Sequence, residues 1–401
     1  MNYHIITQDK FFNGYIEDIY ELQLEHDNVF WVQGNPGDQP YLTTTRPVEY
    51  LGVDKDEIIL RLKKLAPNDR LYVSWYCGMI AQAIVESGIK NPLYAYVMGG
   101  EFYADPWEWH CSWLYDKQTY AQYKKIGWIP SVKLSRKNPL HWGRIIDDVK
   151  RVKDWKKQSQ LEYDKKQKEI ARIDYLVLPK QADGEYDLIK TLYPNSNALH
   201  VFGVFDQNFD LASKIPTKEV ESKSYKILLG NSADPSNNHM DALTFIKKGI
   251  ASEIDIYSIL SYGDANGRKW AIECGENLFG DHFYPILDYM DRQSYLDFVN
   301  SMDVVVMYHN RQQAVGNIMT ALVLGKPVFM KSKNVVYKML KNIGVSAVFD
   351  IKQISKRPLN EYIKEAKEKR KETAEIIKNI YSKELRLKYL KELLTVQPKN
   401  D

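Results

Sequence analysis

The stretch Lys226–Asn238, KILLGNSADPSNN, decides the fold of this chain, together with Tyr308–Val328, YHNRQQAVGNIMTALVLGKPV. In each case an apolar run typical of a buried strand ends in a polar loop, and the loop opens onto a helical pattern. Parallel α/β domains present backbone N–H groups and the positive end of a helix to anionic ligands in this way. Two such loops in one half of the chain predict a site for a nucleoside diphosphate.

The rest of the chain also indicates parallel α/β domains. It has 401 residues, 44% of them hydrophobic and 27% charged, which indicates a globular protein of two or three domains. Helical patterns separate many of its strand-like runs, so we expect α/β domains with doubly wound parallel sheets. The runs are 3–7, 29–33, 71–75, 93–98, 175–178, 198–202, 226–229, 255–260, 304–308 and 327–330.

A polar stretch without clear periodicity, 205–224, is interpreted as a domain linker. The expected organisation is therefore a first domain over 1–204, a second over 225–375 and a C-terminal helix over 376–401. We place a basic, Trp-rich insert, 107–172, in the first domain.

Several features favour a cytoplasmic location. No apolar run approaches the roughly 20 residues that span a bilayer, and the N-terminus lacks the pattern of a signal peptide. Cys77, Cys111 and Cys274 lie far apart without CxxC spacing, which is typical of a reducing compartment and argues against a disulfide or zinc framework.

The net charge of +3 conceals a strong asymmetry. Residues 117–172 hold sixteen Lys/Arg and six Asp/Glu, a local net charge of +10, and six of the nine tryptophans lie between 107 and 155. Basic residues with interleaved Trp suit an anionic membrane surface. A solvated helical face is the other interpretation, and nucleic-acid binding is a third that no recognised motif supports.

The candidate donor-binding residues follow the strand ends of the second half. Arg311 and Gln312 open a helix, where a guanidinium and backbone amides can clamp an anion. Tyr262 lies at the end of another strand and is a candidate for stacking on a base. The full set is Gly230, Asn231, Ser232, Tyr262, Arg311, Gln312, Gln313, Gly316 and Asn317.

Two carboxylates of the first half are catalytic candidates. Glu101 follows two glycines at the end of a strand, where it is suited to act as a general base on a sugar hydroxyl. Asp9, after the first strand, is a second candidate. For Glu101 the alternative roles are binding of the acceptor, helix capping and a salt bridge. We find no DxD-like pair flanked by a strand, no clustered histidines and no nucleophile elbow, and therefore expect no metal site.

These motifs resemble glycosyltransferase family 56, the dTDP-Fuc4NAc:lipid II transferases of enterobacterial common antigen synthesis. The resemblance rests on GNSADPSNNHMDAL (230–243), LDYMDRQSYLDFVNSMDVVVMYHNRQQAVGNI (287–318) and LVLGKPVFM (322–330). The family pattern GNS-x-D-x-SN-x-H is kept, as are RQQ and the following glycine. In YVMGGEFY (96–103), Glu101 stands where the family has Asp, and Met98 where it has Trp.

The resemblance implies a GT-B fold, in which two Rossmann-like domains face a cleft and the second holds the nucleotide sugar, with neither metal nor other cofactor. It implies transfer of a deoxy-amino sugar such as Fuc4NAc to a polyprenyl-diphosphate-linked saccharide, by an enzyme peripheral on the inner face of the plasma membrane. Alternatives are a GT-B enzyme acting on a capsular or other glycan, and a nucleotide-sugar-binding protein without turnover.

Overall fold

The computed structural model of the protein describes residues 1–103, 113–130, 142–205 and 224–396, with the backbone alone for 142–144. By their contacts these residues form two compact units. The first comprises 1–103, 163–205 and 379–396, and the second 113–130, 142–162 and 224–378.

The first unit is built on a seven-stranded parallel sheet in the order β3-β2-β1-β4-β5-β6-β7. Its inner strands are largely buried because both faces of a parallel sheet are covered, whereas the strands at its two edges are partly exposed. The strands are β1 (Asn2–Ile6), β2 (Asn28–Val32), β3 (Glu49–Tyr50), β4 (Arg70–Ser74), β5 (Leu93–Tyr96), β6 (Tyr175–Leu178) and β7 (Leu199–Phe202).

The second unit holds a six-stranded parallel sheet in the order β10-β9-β8-β11-β12-β13. All four residues of β11 are buried, as expected for a central strand. The strands are β8 (Tyr225–Leu229), β9 (Ile254–Ile259), β10 (Phe283–Ile286), β11 (Val304–Met307), β12 (Val328–Met330) and β13 (Val348–Asp350).

Helices connect the strands in both units. They are α1 (Phe11–Glu21), α2 (Lys55–Leu62), α3 (Gly78–Ser87), α4 (Gly100–Tyr103), α5 (Lys117–Lys125), α6 (Trp142–Ala171), α7 (Asp183–Leu192), α8 (His239–Gly249), α9 (Ala265–Phe279), α10 (Arg292–Asn300), α11 (Val315–Val323), α12 (Val335–Asn342), α13 (Leu359–Glu368), α14 (Arg370–Ile380) and α15 (Lys383–Thr395). In the described part of the chain, none of them is both long enough and apolar enough to cross a bilayer.

Each sheet reverses its strand order at one point. In the first sheet the reversal lies between β1 and β4, and in the second between β8 and β11. Loops at the carboxyl ends of such strand pairs diverge and leave a crevice where ligands bind in open α/β sheets. Residues 7–10 and 75–77 therefore flank one crevice, and residues 230–238 and 308–314 flank the other.

The expected parallel α/β architecture is confirmed, and a strand occupies each of the predicted runs. Strands β3, β10 and β13 were not predicted. The Trp-rich insert, expected within the first domain, has its described residues 113–130 and 142–162 in the second unit instead. Helix α15 belongs to the first unit, where Arg386 contacts Asp18 through two hydrogen bonds of 2.6 and 3.0 Å. Most of the expected linker lies outside the described residues.

Candidate functional site

The loop after β8 is held by its own side chains. Gly230 has a φ of +69°, and a Cβ at this position would lie 2.6 Å from Nε2 of His239, so only glycine fits here. The backbone N–H of Asn231 donates to Oδ1 of Asn237 at 3.2 Å, and Nδ2 of Asn237 donates to Oγ of Ser232 at 3.2 Å. Asn231 and Ser232 are buried as a result, at 8% and 2% exposure.

Hydrogen bonds between side chains join this loop to the loops after β9 and β11. Nε2 of Gln313 donates to Oδ1 of Asn231 at 3.1 Å, and Oγ of Ser236 donates to Oε1 of Gln313 at 2.7 Å. Nδ2 of Asn231 donates to the hydroxyl of Tyr262 at 3.1 Å, while the Tyr262 side chain stays exposed. The structure thus brings Asn231, Tyr262 and Gln313 into one network at the carboxyl edge of the sheet.

Arg311 and Gln312 lie in the same loop as Gln313. Nδ2 of Asn334 fixes this loop by donating to the carbonyl oxygen of Arg311 at 2.8 Å, and Nη1 of Arg311 donates to the carbonyl oxygen of Gln312 at 3.0 Å. Oε1 of Gln312 is buried without a hydrogen-bond partner among the described residues. Buried polar atoms in proteins normally have a partner, so this acceptor indicates a place where a donor from a ligand or water fits.

Helix α11 begins directly after this loop. Ala314 precedes it with a φ of +57° and provides no side-chain cap. The backbone N–H of Ile318 bonds to the carbonyl oxygen of Ala314 at 2.9 Å. The amides of Val315, Gly316 and Asn317 come earlier, at positions that have no acceptor within an α-helix. Together with the helix dipole they form an end that favours an anion, and Gly316 keeps its first turn free of a side chain.

Two buried histidines adjoin the site, and neither was among the predicted site residues. Burial lowers the pKa of His239 to about 4 and that of His309 to about 3, the latter helped by the charge of Arg311, so both are neutral at pH 7. Nδ1 of His309 lies 3.1 Å from the carbonyl oxygen of Arg311. In each ring Nε2 is buried without a hydrogen-bond partner in the described ranges. His239 is the last position of the GNS-x-D-x-SN-x-H pattern, which was the available signal.

Residues 113–125, here called the docking segment, pack on the same loops. Nδ2 of Asn310 donates to the carbonyl oxygens of Trp113 and Leu114, at 3.0 and 3.2 Å, and to Oδ1 of Asp116 at 3.0 Å. Nδ2 of Asn238 donates to the carbonyl oxygen of Leu114 at 3.2 Å. Two asparagines that lie within the motif-bearing stretches therefore hold a distant segment of the chain.

Helix α5 of the docking segment is fixed to helix α8. The carboxylate of Asp241 accepts from the backbone N–H of Gln118 at 2.8 Å and from the backbone N–H and hydroxyl of Thr119 at 3.0 and 2.9 Å. An aromatic cluster lies beside it, with Tyr123 packed on Trp128 and Trp270. The docking segment is consequently an integral part of the second unit.

The structure places the two catalytic candidates in the first unit. Glu101 lies in α4 with 2% exposure, and its Oε1 accepts from the backbone N–H of Met98 at 2.5 Å. Burial raises its pKa to about 7 against the opposing effects of backbone hydrogen bonds and Lys166. Oε2 has no hydrogen-bond partner among the described residues. Oδ1 of Asp9 accepts from the backbone N–H of Phe11 at 3.1 Å, beside the start of α1.

Solved structures with a similar fold identify the architecture. The UDP-forming α,α-trehalose-phosphate synthase from Burkholderia vietnamiensis matches with a TM-score of 0.56 at 9% identity, over 98% of each chain. Sucrose-phosphate synthase from Thermosynechococcus elongatus matches with a TM-score of 0.57 at 9% identity, again over 98% of each chain. At such low identity the likeness shows the fold alone, and that fold is GT-B.

The family follows from a sequence model. The model of 4-alpha-L-fucosyltransferases, glycosyl transferase group 56, matches residues 165–389, which is more than half of the chain. The chain belongs to this family, and the protein is a glycosyltransferase. The resemblance found from the motifs is confirmed, and the family implies a nucleotide-sugar donor and a glycan acceptor.

Proposed function

We propose that the protein transfers a deoxy-amino sugar such as Fuc4NAc from a nucleoside diphosphate to a polyprenyl-diphosphate-linked saccharide, in cell-surface glycan synthesis. The observation that carries the donor half is the network at the β8–β11 switch point. There the loop residues Gly230, Asn231 and Gln313 lie beside the uncapped start of α11 and the side chain of Arg311.

The donor diphosphate would bind at the start of α11. The amides of Val315, Gly316 and Asn317 and the guanidinium of Arg311 are donors suited to its oxygens. Gln312 and Ser232 would supply further polar contacts. The exposed ring of Tyr262, anchored through its hydroxyl to Asn231, would lie beside the nucleobase.

In the transfer step an acceptor hydroxyl oxygen forms a bond to the anomeric carbon, and the bond from that carbon to the diphosphate oxygen breaks. The electron pair leaves with the nucleoside diphosphate, whose charge the α11 amides and Arg311 would stabilise. The hydroxyl proton goes to a base, for which we propose Glu101. A carboxyl with a pKa raised to about 7 is suited to proton transfer at neutral pH. Asp9 is the second candidate.

This arrangement leads us to expect metal-independent transfer. Helix amides and a guanidinium can neutralise the leaving diphosphate. Turnover should therefore persist in excess EDTA, and loss of turnover that manganese or magnesium restores would contradict the proposal.

The acceptor half rests on the basic, Trp-rich segment. Most side chains of α6 from 145 to 162 are exposed, among them Ile146 at 65% and Val149 at 49%. Trp128, near the end of the docking segment, is 42% exposed. Exposed apolar side chains among many lysines are typical of helices that lie on anionic membranes. We propose that this surface holds the enzyme on the inner face of the plasma membrane, where a lipid-linked acceptor is available.

Co-sedimentation with phosphatidylglycerol vesicles tests the membrane surface. Wild-type protein should pellet at low salt and be partly released at 1 M salt, where the Debye length falls to about 3 Å. Ile146→Asp and Val149→Asp should reduce pelleting, whereas Leu60→Asp, at an equally exposed position of α2 (60%), should not. Protein that stays in the supernatant at low salt would argue for a glycan acceptor without a lipid.

A thermal-shift screen of nucleoside diphosphates and their sugars tests the donor site. A ligand at a hundred times its dissociation constant adds about 2.7 kcal/mol of stability. With the donor so identified, transfer of its labelled sugar to membrane-extracted polyprenyl-diphosphate saccharides tests the whole proposal. If the protein hydrolyses the donor but transfers no sugar to these saccharides, it is an enzyme that uses a different acceptor. Tight binding without any turnover would instead show a binding protein.

A further inference from the structure

Trp75 has an unusual backbone conformation. It follows β4 with a φ of +51°, in the left-handed region, and its carbonyl oxygen accepts from the backbone N–H of Cys77 at 2.8 Å. A bulky side chain in this region is a genuine outlier, which persists only where the surrounding structure enforces it. Such residues cluster at functional sites.

The indole of Trp75 is fixed against the backbone of Gly100. A Cβ on Gly100 would lie 2.5 Å from Cζ3 and 2.7 Å from Cη2 of the indole ring. The ring therefore occupies the space where any other residue would place a side chain. Glu101 is the next residue, so the ring packs directly beside the backbone that carries the proposed base.

The position of Trp75 in the fold points to a ligand. It lies at the carboxyl end of β4, at the strand-order reversal between β1 and β4 of the first sheet, where open α/β sheets bind ligands. Despite the contact of its ring with Gly100, Trp75 is 36% exposed. Oγ1 of Thr7, at the end of the neighbouring strand β1, and Oε2 of Glu101 are buried atoms without hydrogen-bond partners in the described part of the chain.

We propose that the indole of Trp75 is the platform on which a saccharide ring of the acceptor packs, so that Trp75 binds acceptor rather than donor. A sugar ring has one face of C–H groups, which matches an exposed aromatic ring, while its hydroxyls match polar atoms at the edge of that ring. This inference rests on the proposed function, because it concerns the acceptor of that reaction. A ring placed there would present a hydroxyl close to Glu101.

Steady-state kinetics with two substrates varied separately test the inference. The measured reaction is the transfer of a labelled sugar to membrane-extracted polyprenyl-diphosphate saccharides. The donor is the nucleoside-diphosphate sugar that gives the largest thermal shift. Trp75→Leu should raise the KM for acceptor at least tenfold, and Trp75→Phe should raise it less, while the KM for donor and the rate of donor hydrolysis stay unchanged. The matched control is Phe202→Leu, which removes an aromatic ring of similar exposure, 38%, from strand β7 of the same unit.

Gly100→Ala provides a second variant that keeps the tryptophan. The new Cβ must displace the indole, so this variant should also raise the KM for acceptor. Unfolding midpoints and donor binding identify variants that fail to fold. If the wild type transfers sugar and Trp75→Leu has the same KM for acceptor as the wild type, the role of Trp75 is excluded while the proposed function stands. Absence of transfer by the wild type would instead overturn the proposed function.

Discussion

Nζ of Lys331 lies 2.5 Å from Oδ2 of Asp116, across 215 positions of the sequence. The same Nζ donates to Oδ1 of Asn310 at 2.9 Å and lies 4.0 Å from the ring centre of Tyr308. Lys331 is buried, at 8% exposure, and burial lowers its pKa to about 8 despite the attraction of Asp116. The ion pair thus ties the docking segment to the end of β12, and Asn310, which bonds to both partners, joins them to the loop that carries Arg311.

Replacing Lys331 with Met should destabilise the protein by about 2–4 kcal/mol, since it leaves a partly buried carboxylate without its cation. Urea unfolding measures this free energy. Tryptic cleavage after Lys117 and Lys124 should also become faster, because the docking segment loses its anchor. The control is Lys364→Met, whose ion pair with Glu368 spans 4.0 Å and whose side chain is 79% exposed, so that it should cost less than about 0.5 kcal/mol. Equal effects of the two variants would show that the pair does not hold the segment.

Replacing Arg311 with Ala should weaken nucleoside-diphosphate binding by about 1.5–3 kcal/mol, the range for a hydrogen bond to a charged group. Calorimetric titration measures it. Arg311→Lys should recover part of the loss, because it keeps the charge but not the planar fork. Lys352→Ala, which removes an exposed charge after β13 of the same unit, is the control and should bind as wild type does. A wild-type dissociation constant in Arg311→Ala would remove this residue from the donor site.

Replacing Gly230 with Ala should both destabilise the second unit and abolish donor binding. The new Cβ would lie 2.6 Å from Nε2 of His239 and 3.0 Å from Oδ1 of Asn237, in a backbone with a φ of +69°. We expect a loss of about 1–3 kcal/mol from this strain and overpacking. Gly184→Ala, in helix α7 with no atom within 4 Å of the added Cβ, should instead stabilise by about 0.5–1 kcal/mol. Thermal unfolding of the two variants should therefore shift in opposite directions.

The sequence predicted the strands well because buried parallel strands are uninterrupted apolar runs. The sequence did not predict the strands in which the apolar run is short or interrupted. β3 has two residues, β13 has three, and β10 contains Pro285 in a strand at the edge of its sheet. Proline is tolerated in an edge strand because one side of that strand has no neighbouring strand. The backbone N–H that proline lacks is therefore not needed for pairing on that side.

The donor loops were predictable for the same topological reason. Residues that follow strands in a parallel sheet meet at one edge, so Asn231 and Gln313 were expected on the same rim and prove to be hydrogen-bonded. The contact of Asp116 with Lys331 was not predictable, because no local pattern links residues so far apart in sequence. The neutral state of His239 likewise depends on burial in the folded chain rather than on its motif.

Replacing Glu101 with Gln should make the protein more stable and less active. Burial raises the pKa of Glu101 from 4.5 to about 7, so between these values the folded protein keeps a proton that the unfolded chain has released. The unfolding free energy of the wild type must therefore fall as pH rises from 4.5 to 7, by about 2–3 kcal/mol from this group. Glu101→Gln lacks this titration, so its advantage over wild type should grow across the window and stay constant above pH 7.

Urea unfolding of both proteins at pH 5 and pH 8 measures this difference. Asp291→Asn is a control for which the pH dependence of the free energy of unfolding should run in the opposite direction. Asp291 caps α10, and the hydrogen bond from Ser294 lowers its pKa. The wild type should therefore have a higher free energy of unfolding than Asp291→Asn at neutral pH, and this difference should disappear in acid.

If Glu101 is also the base, Glu101→Gln should bind donor normally and lose most of its transfer rate, whereas Asp9→Asn should retain its transfer rate. A Glu101→Gln enzyme that transfers sugar at the wild-type rate would exclude Glu101 as the base, whatever its effect on stability.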